Sequence, residues 1–134
     1  MKVTTSRDPS PKTRRFGKVL ARFLSLPYEN RGKRGLTDEP CLMVAEEHGN
    51  PHRLIKRSAG EETTLVFTVS SDPLARQFKP SLPVVVGAYR EAEPIARFFE
   101  LDWREQPGYA RAIMVAGGYI DLVDGQESIL RLKI

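Results

Sequence analysis

The sequence predicts an α/β fold in which two similar halves, about residues 1–80 and 81–134, pack as one domain over residues 1–134. Three observations predict it. A strand, turn and helix over Val3–Phe23 is echoed over Val84–Leu101, with Arg15-Phe16 matching Arg97-Phe98. Leu42-Met43-Val44-Ala45 is echoed by Ile113-Met114-Val115-Ala116, and a two-strand run follows each. The first match has an offset of 82 and the second 71, so the first half carries 11 additional residues; the loop Tyr28–Leu36 is the obvious place for them.

Taken in order, Lys2–Ser6 is a β-branched run ending in the turn and capping residues Arg7-Asp8-Pro9-Ser10-Pro11. Ser10 before Pro11 fits an N-cap and first helical position, because proline lacks the amide hydrogen that goes unpaired there, and Asp8 before Pro9 offers the same pairing two residues earlier. Phe16, Val19, Leu20, Phe23 and Leu24 then follow the spacing of one apolar helical face. Gly17 in that helix costs about 0.5–1 kcal/mol relative to alanine, which points to close packing. Leu26-Pro27 closes the helix. Cys41–Ala45 reads as a buried strand, His48–Pro51 as a turn in which Asn50 and Pro51 are turn formers, His52–Ser58 as a second strand, and Thr64–Ser70 as a third. Asp72-Pro73 can cap a short helix over Leu74–Phe78. Val84–Ala88 is a near-continuous apolar strand, Glu91–Leu101 a helix with Ile95, Phe98 and Phe99 inward, and Ala112–Ala116 a strand. A hairpin turns across Asp124-Gly125 between Tyr119–Val123 and Ser128–Ile134.

Composition excludes several classes. At 134 residues and 40% hydrophobic the chain can bury a real core, and one cysteine, Cys41, makes no internal disulfide framework. No apolar run approaches the roughly 18–20 residues that span a bilayer, and charges interrupt the N-terminus where a signal peptide would be apolar. The expectation is a cytoplasmic protein, nucleolar in a eukaryotic cell. Phosphate-loop and dinucleotide-binding glycine patterns are absent, as is a credible Ser-His-Asp set. His48 and His52 with Cys41, Glu46 and Glu47 suggest a metal site superficially, but Gly49-Asn50-Pro51 between the histidines rules out a shared helix face and Cys41 lies in an apolar strand. Asp121, Asp124 and Glu127 read as an acidic hairpin turn in preference to a cation site. No catalytic residue, metal, cofactor or small-molecule substrate is expected.

Charge is the informative feature. Residues 1–35 carry a net charge of +8 and the remaining 99 a net of −4. Arg15, Lys18 and Arg22 lie three and four apart on one helix side, where like charges each cost about 0.2–0.5 kcal/mol. Lys12, Arg14 and Arg15 sit near the positive end of the helix dipole. Local stability does not account for this pattern; a polyanion partner does.

Thr-Thr-Ser-Arg-Asp-Pro-Ser-Pro-Lys-Thr-Arg-Arg-Phe (Thr4–Phe16), then Asn30-Arg31-Gly32-Lys33, then Glu46–Pro51 (EEHGNP), resemble in order and spacing the Brix-domain family of ribosome-biogenesis proteins. The resemblance implies two α/β halves, each like the anticodon-binding domain of class IIa aminoacyl-tRNA synthetases. It also implies a role in ribosomal RNA processing and subunit assembly, with pre-rRNA or rRNA as partner and ribosomal or assembly proteins as further ones. The chain resembles the compact archaeal form, and departs from the family in the short stretch between Lys33 and Cys41. On this reading Ser6, Ser10 and the amides of the helix start form a candidate site for one phosphate, while Arg7, Lys12, Arg14 and Arg15 take neighbouring ones. N-capping alone is the competing role for Ser10. Lys18 and Arg22 extend the basic side, and Asn30, Arg31, Gly32, Lys33 and Arg34 form a basic loop. The expected function is a non-catalytic RNA-binding assembly factor, with RNA chaperoning as an accompanying role. The alternatives are a protein-docking module without direct RNA contact and a nuclease.

Overall fold

The structure is a computed structural model that describes residues 1–30 and 39–134. The chain divides into two compact units, Met1–Phe67 and Thr68–Ile134. The division falls at Phe67 and not near residue 80, because Thr68 and Val69 already pair with the last strand of the second unit.

In unit 1 the strands β1 (Lys2–Thr5), β2 (Cys41–Glu47), β3 (Asn50–Ser58) and β4 (Glu61–Val66) form one sheet in that order. β1 and β2 are parallel, joined through helix α1 (Pro11–Leu24), and the other pairs are antiparallel. Side chains alternate along a strand, so Val3, Leu42, Val44 and Leu54 share the face that α1 covers with Phe16, Val19, Leu20 and Phe23; all are buried. Phe67 stacks on Phe16 with ring centroids 5.3 Å apart and closes this core. Gly17 is where Tyr28 comes close: a Cβ there would lie 2.9 Å from the tyrosine ring. Tyr28 belongs to a segment hydrogen-bonded along the outer edge of β1, through the Val3 amide to the Pro27 carbonyl and the Glu29 amide to the Val3 carbonyl. Lys2 pairs with both Glu29 and Glu39, at 3.1 and 3.2 Å.

Unit 2 repeats the plan. Its sheet runs β5 (Thr68–Val69), β10 (Glu127–Lys133), β9 (Tyr119–Asp124), β8 (Arg111–Ala116), β6 (Val84–Gly87) and β7 (Trp103–Arg104), with α2 (Tyr89–Phe99) joining the parallel pair β6 and β8 by way of β7. Val3 opposite Leu42 corresponds to Val85 opposite Ile113, the two offsets read in the sequence. The helix match is different from the one expected. Ser25 and Glu100 are both left-handed C-caps at φ 57°, each amide reaching back to an Ala-Arg pair, so Ala21-Arg22-Phe23 corresponds to Ala96-Arg97-Phe98. Twenty residues separate Thr5 from Ser25 but thirteen separate Gly87 from Glu100. Seven of the eleven additional residues therefore precede the end of α1, in the connection Ser6–Ser10 and the first turns of the helix, and only four follow it.

Two further expectations change. Thr64–Ser70 is not one strand: it breaks at buried Phe67, with β4 pairing β3 and β5 pairing β10. Leu74–Phe78 is not helical. Arg111, buried in β8, donates to the carbonyls of Lys79 and Ser81, and Arg76 and Arg111 both face the Phe78 ring. These contacts hold the segment in an irregular path along the sheet, and local capping cannot compete with them.

The hairpin between β3 and β4 turns through Ala59 (φ 53°) and Gly60 (φ 77°), a two-residue turn with both residues left-handed. Alanine tolerates this badly and asparagine well. Ala59→Asn is expected to raise stability by about 0.5–1 kcal/mol, read as a higher urea midpoint at unchanged slope.

Candidate nucleic-acid interface

The start of α1 is built by two distant stretches. Ser10 is the N-cap: its hydroxyl oxygen accepts from the Thr13 amide at 3.1 Å and its proton goes to the Gly49 carbonyl at 2.7 Å. The Ser10 amide donates to Glu46 Oε2 at 3.1 Å, and the Thr13 hydroxyl donates to the same oxygen. Lys12 Nζ donates to Asn50 Oδ1 at 2.9 Å. Leu42, Val44 and Glu46 alternate onto the sheet face beneath α1, so the end of β2 brings Glu46 under the first helical turn, beside an irregularity in pairing at Ala45/Glu46. The anion at this helix start is thus the protein's own carboxylate. Of the amides there, Ser10 and Thr13 are engaged, Arg14 bonds back to the Ser10 carbonyl at 3.0 Å, and Pro11 has none, which leaves Lys12. Ser10 takes the capping role, and the expected phosphate position between Ser10 and the amides is filled.

The hydrogen bond from Thr13, followed by that from the Ser10 amide, holds the Glu46 carboxyl below the usual carboxylate range, against the effect of its partial burial. A carboxylate lowered on folding contributes stability that is present above its unfolded pKa and is lost as pH falls through its folded one. Acid unfolding of the wild type is therefore expected to include a component below pH 4.5 that Glu46→Gln removes, seen as a shallower fall of melting temperature over that range.

Apart from Lys12, which reaches Asn50, the cations lie outside this knot. Arg7, Lys12, Arg14, Arg15, Lys18 and Arg22 are all exposed, whereas Thr13, Phe16, Gly17, Val19 and Leu20 between them are buried. Arg14, Arg15, Lys18 and Arg22 form one stripe along the helix, and α1 contains no acidic residue. Among the described residues none of Lys12, Arg14, Arg15, Lys18 and Arg22 makes an ion pair; Lys18 lies 5.9 Å from the centre of the Tyr28 ring. Unit 2 is different. Arg97 on α2 is gripped by Glu93 at 2.7 Å, Arg104 pairs with Asp102, and Arg131 with Asp121. Ser6 bonds through its amide to the Val44 carbonyl, and Asn30 is exposed at the end of the Tyr28 segment. Arg31, Gly32, Lys33 and Arg34 lie outside the described residues.

Sequence reasoning did not identify Glu46 or Thr13. Their only signal was the presence of Glu46 at the head of the EEHGNP block, since the partners are 33 and 36 residues apart. The metal-like set is scattered: Cys41 opens β2 and His48 follows its end, roughly 23 Å along an extended strand. His52 pairs with Glu47 at 3.2 Å. Asp121 faces Arg131, Asp124 faces Arg76 and Arg111, and Glu127 faces Arg76. Among the described residues no group of three or more His, Cys, Asp or Glu could hold a metal ion, and no helix is long and apolar enough to cross a membrane.

No family model matches the chain. A protein of Methanosarcina barkeri described as a probable Brix domain-containing ribosomal biogenesis protein is 30% identical, in an alignment covering 100% of this chain and 96% of that protein. The chain belongs to the Brix-domain family of ribosomal biogenesis proteins. A relative from Archaeoglobus fulgidus with the same description is 44% identical over 101 residues, a stretch that spans 66% of that protein. Among solved structures, the Brix-family chain is similar to Mil, an archaeal Imp4-like protein, at a TM-score of 0.78 and 29% identity, with 100% of this chain and 96% of that one covered. A probable ribosomal biogenesis protein from Aeropyrum pernix K1, at a TM-score of 0.60 and 19% identity over 98% of this chain and 92% of that one, shares the fold.

Proposed function

We propose that this Brix-domain chain is a non-catalytic ribosome-biogenesis factor that holds precursor or mature ribosomal RNA by its phosphate backbone, through the exposed side of α1. The observation that carries the reading is the stripe of cations that make no ion pair among the described residues, on a helix without a single acid, whereas the corresponding arginine of the second unit is neutralised by Glu93. Five cations in one field attract a polyanion, and their mutual repulsion is relieved when phosphates lie between them. Lys12, Arg14, Arg15, Lys18 and Arg22 make the contacts, with Arg7 on the adjoining connection and exposed Asn30 as a further contact; Arg31, Gly32, Lys33 and Arg34, outside the described residues, are further candidates from the sequence. Ser6 and Ser10 shape it. Each unit is read as resembling the anticodon-binding domain of class IIa aminoacyl-tRNA synthetases, with RNA contacted through the first, because the arginines Arg97, Arg104 and Arg131 of the second are paired with acids. Holding RNA in this manner supports its pairing or remodelling during subunit assembly.

The reading is tested by RNA affinity as a function of salt. If four or five phosphates are engaged, log affinity falls against log salt with a slope of about −3 to −4. A slope near zero, or capture of assembly proteins from extract that persists after nuclease while purified RNA does not bind, would show a protein-docking module instead.

A further inference from the structure

The connection between β1 and α1 is longer than its counterpart in unit 2. In unit 2 one residue, Ala88, joins strand to helix and caps α2 without a side-chain hydrogen bond. In unit 1 the connection is Ser6–Ser10, and its last residue is tied to Glu46 near the end of β2 and to Gly49 in the β2–β3 turn. A helix N-terminus beside a basic surface is by default a phosphate site, since several amides and the dipole face outward together. Here the amides of Ser10 and Thr13 are both engaged, one of them by Glu46, and Thr13 is fully buried while donating its hydroxyl to the same carboxylate. A phosphate arriving at this position would find one amide, that of Lys12, without a partner among the described residues, and a carboxylate already in place. Repulsion from Glu46 adds to the lack of donors.

The same knot orients a cation. Ser10 ties the helix start to Gly49, and the next residue, Asn50, accepts from the Lys12 ammonium at 2.9 Å. The β2–β3 turn thus fixes the end of a flexible side chain that otherwise has about 2 kcal/mol of rotamer freedom.

We infer that Glu46 is a positioning residue for the RNA-contacting face: it closes the start of α1 to phosphate, so that RNA is gripped by side-chain cations alone, and it holds Ser10, whose hydroxyl ties the turn that receives Lys12. The inference rests on the RNA-binding reading above for its purpose, but its central claim concerns phosphate and can be tested without RNA. The recognition it implies is of a backbone tracked along the helix flank, not one anchored at the helix tip.

The test is an amide NMR titration of the full chain with inorganic phosphate, together with the salt dependence of RNA binding. In the wild type the Ser10, Lys12, Thr13 and Arg14 resonances are expected to show no saturable shift. In Glu46→Ala the Ser10 and Lys12 amides should shift saturably, and the salt slope for RNA should steepen by about 0.7–0.9, the increment of one additional phosphate. A merely structural role predicts weaker RNA binding at an unchanged or shallower slope. Saturable shifts at these amides in the wild type would overturn the inference, as would a folded Glu46→Ala chain with neither phosphate shifts nor a steeper slope. If Glu46→Ala fails to fold, Glu46→Gln removes the charge while retaining an acceptor for Ser10 and Thr13, so that only the Lys12 amide is then expected to shift saturably, together with the steeper salt slope; a folded Glu46→Gln chain with neither would overturn the inference. A wild type that binds no RNA defeats the functional reading yet leaves the phosphate titration to judge Glu46 on its own.

Discussion

Replacing Arg14, Arg15 and Lys18 together with glutamate is expected to lower RNA affinity by about a hundredfold or more at moderate salt while leaving the protein folded. The three residues lie on the exposed side of α1 and make no ion pair among the described residues, so the replacement reverses the sign of the stripe at the cost of the Lys18 contact with the Tyr28 ring. Three phosphate contacts are lost and three repulsive charges gained, and the salt dependence should flatten accordingly. Stability moves the other way or not at all. Exposed substitutions change it by about 0.5 kcal/mol or less each, and acids near a helix start offset the macrodipole that the native cations oppose. Arg97→Glu is the matched control, because Arg97 is already paired to Glu93 on the helix of the second unit. Circular dichroism and thermal melting establish the fold, and filter binding over a salt series gives the affinity. Unchanged affinity in a folded triple variant would remove the basis for placing RNA on this helix.

How much of this was legible in the sequence depended on the range of the interaction. The strands and the two helices follow from periods of 2 and 3.6, and the pairing of Val3 with Leu42 against Val85 with Ile113 reproduces the repeat read from LMVA and IMVA. The short β7 was not legible, because Trp103 and Arg104 offer no alternation to detect, and only its counterpart, the Pro27–Glu29 edge along β1, makes its place intelligible. The helix match at Arg15-Phe16 was misplaced for a related reason. An Arg-Phe pair recurs at Arg22-Phe23, and only the shared left-handed caps at Ser25 and Glu100 show which copy is equivalent. This shift changes the meaning of the insertion. Most of the additional length of unit 1 serves to build the Ser6–Ser10 connection and lengthen the cation-bearing helix, not to extend the basic loop.

The candidate site divides in the same way. Exposed Lys12, Arg14, Arg15, Lys18 and Arg22 could be read from helical spacing against Phe16, Val19, Leu20 and Phe23, because burial of one face dictates exposure of the other. The fate of the helix start could not, because the competing anion comes from Glu46. Two of the sequence blocks that carry the family resemblance, Thr4–Phe16 and Glu46–Pro51, are one hydrogen-bonded unit through Ser10–Gly49, Lys12–Asn50 and Thr13–Glu46.

Arg111 is where a single substitution should cost the most stability. It is 5% exposed, in the first position of β8, and its guanidinium donates to the carbonyls of Ser81 at 2.9 Å and Lys79 at 2.7 Å, with Nε 3.4 Å from Asp124. Five donors in a planar fork allow one side chain to satisfy three acceptors on two segments. Arg111→Ala leaves Asp124 with Arg76 alone, removes one of the two cations facing Phe78, and frees the irregular stretch around residues 76–81 from the sheet. Removing one partner from a buried pair costs about 3–5 kcal/mol, and the remaining contact of Asp124 with Arg76 places the expected loss near the lower end. For a chain of this length that is a fall in melting temperature of roughly 10 °C. Arg111→Lys keeps the charge but lacks the fork, so it should recover less than half of the loss. The same variants should expose the chain at Arg76 to trypsin before the rest of the unit opens, since this stretch has no helix or strand of its own to hold it. A loss below about 1 kcal/mol in urea unfolding, with trypsin cleavage at Arg76 unchanged, would show that Phe78 and its neighbours are held by packing and not by the Arg111 fork.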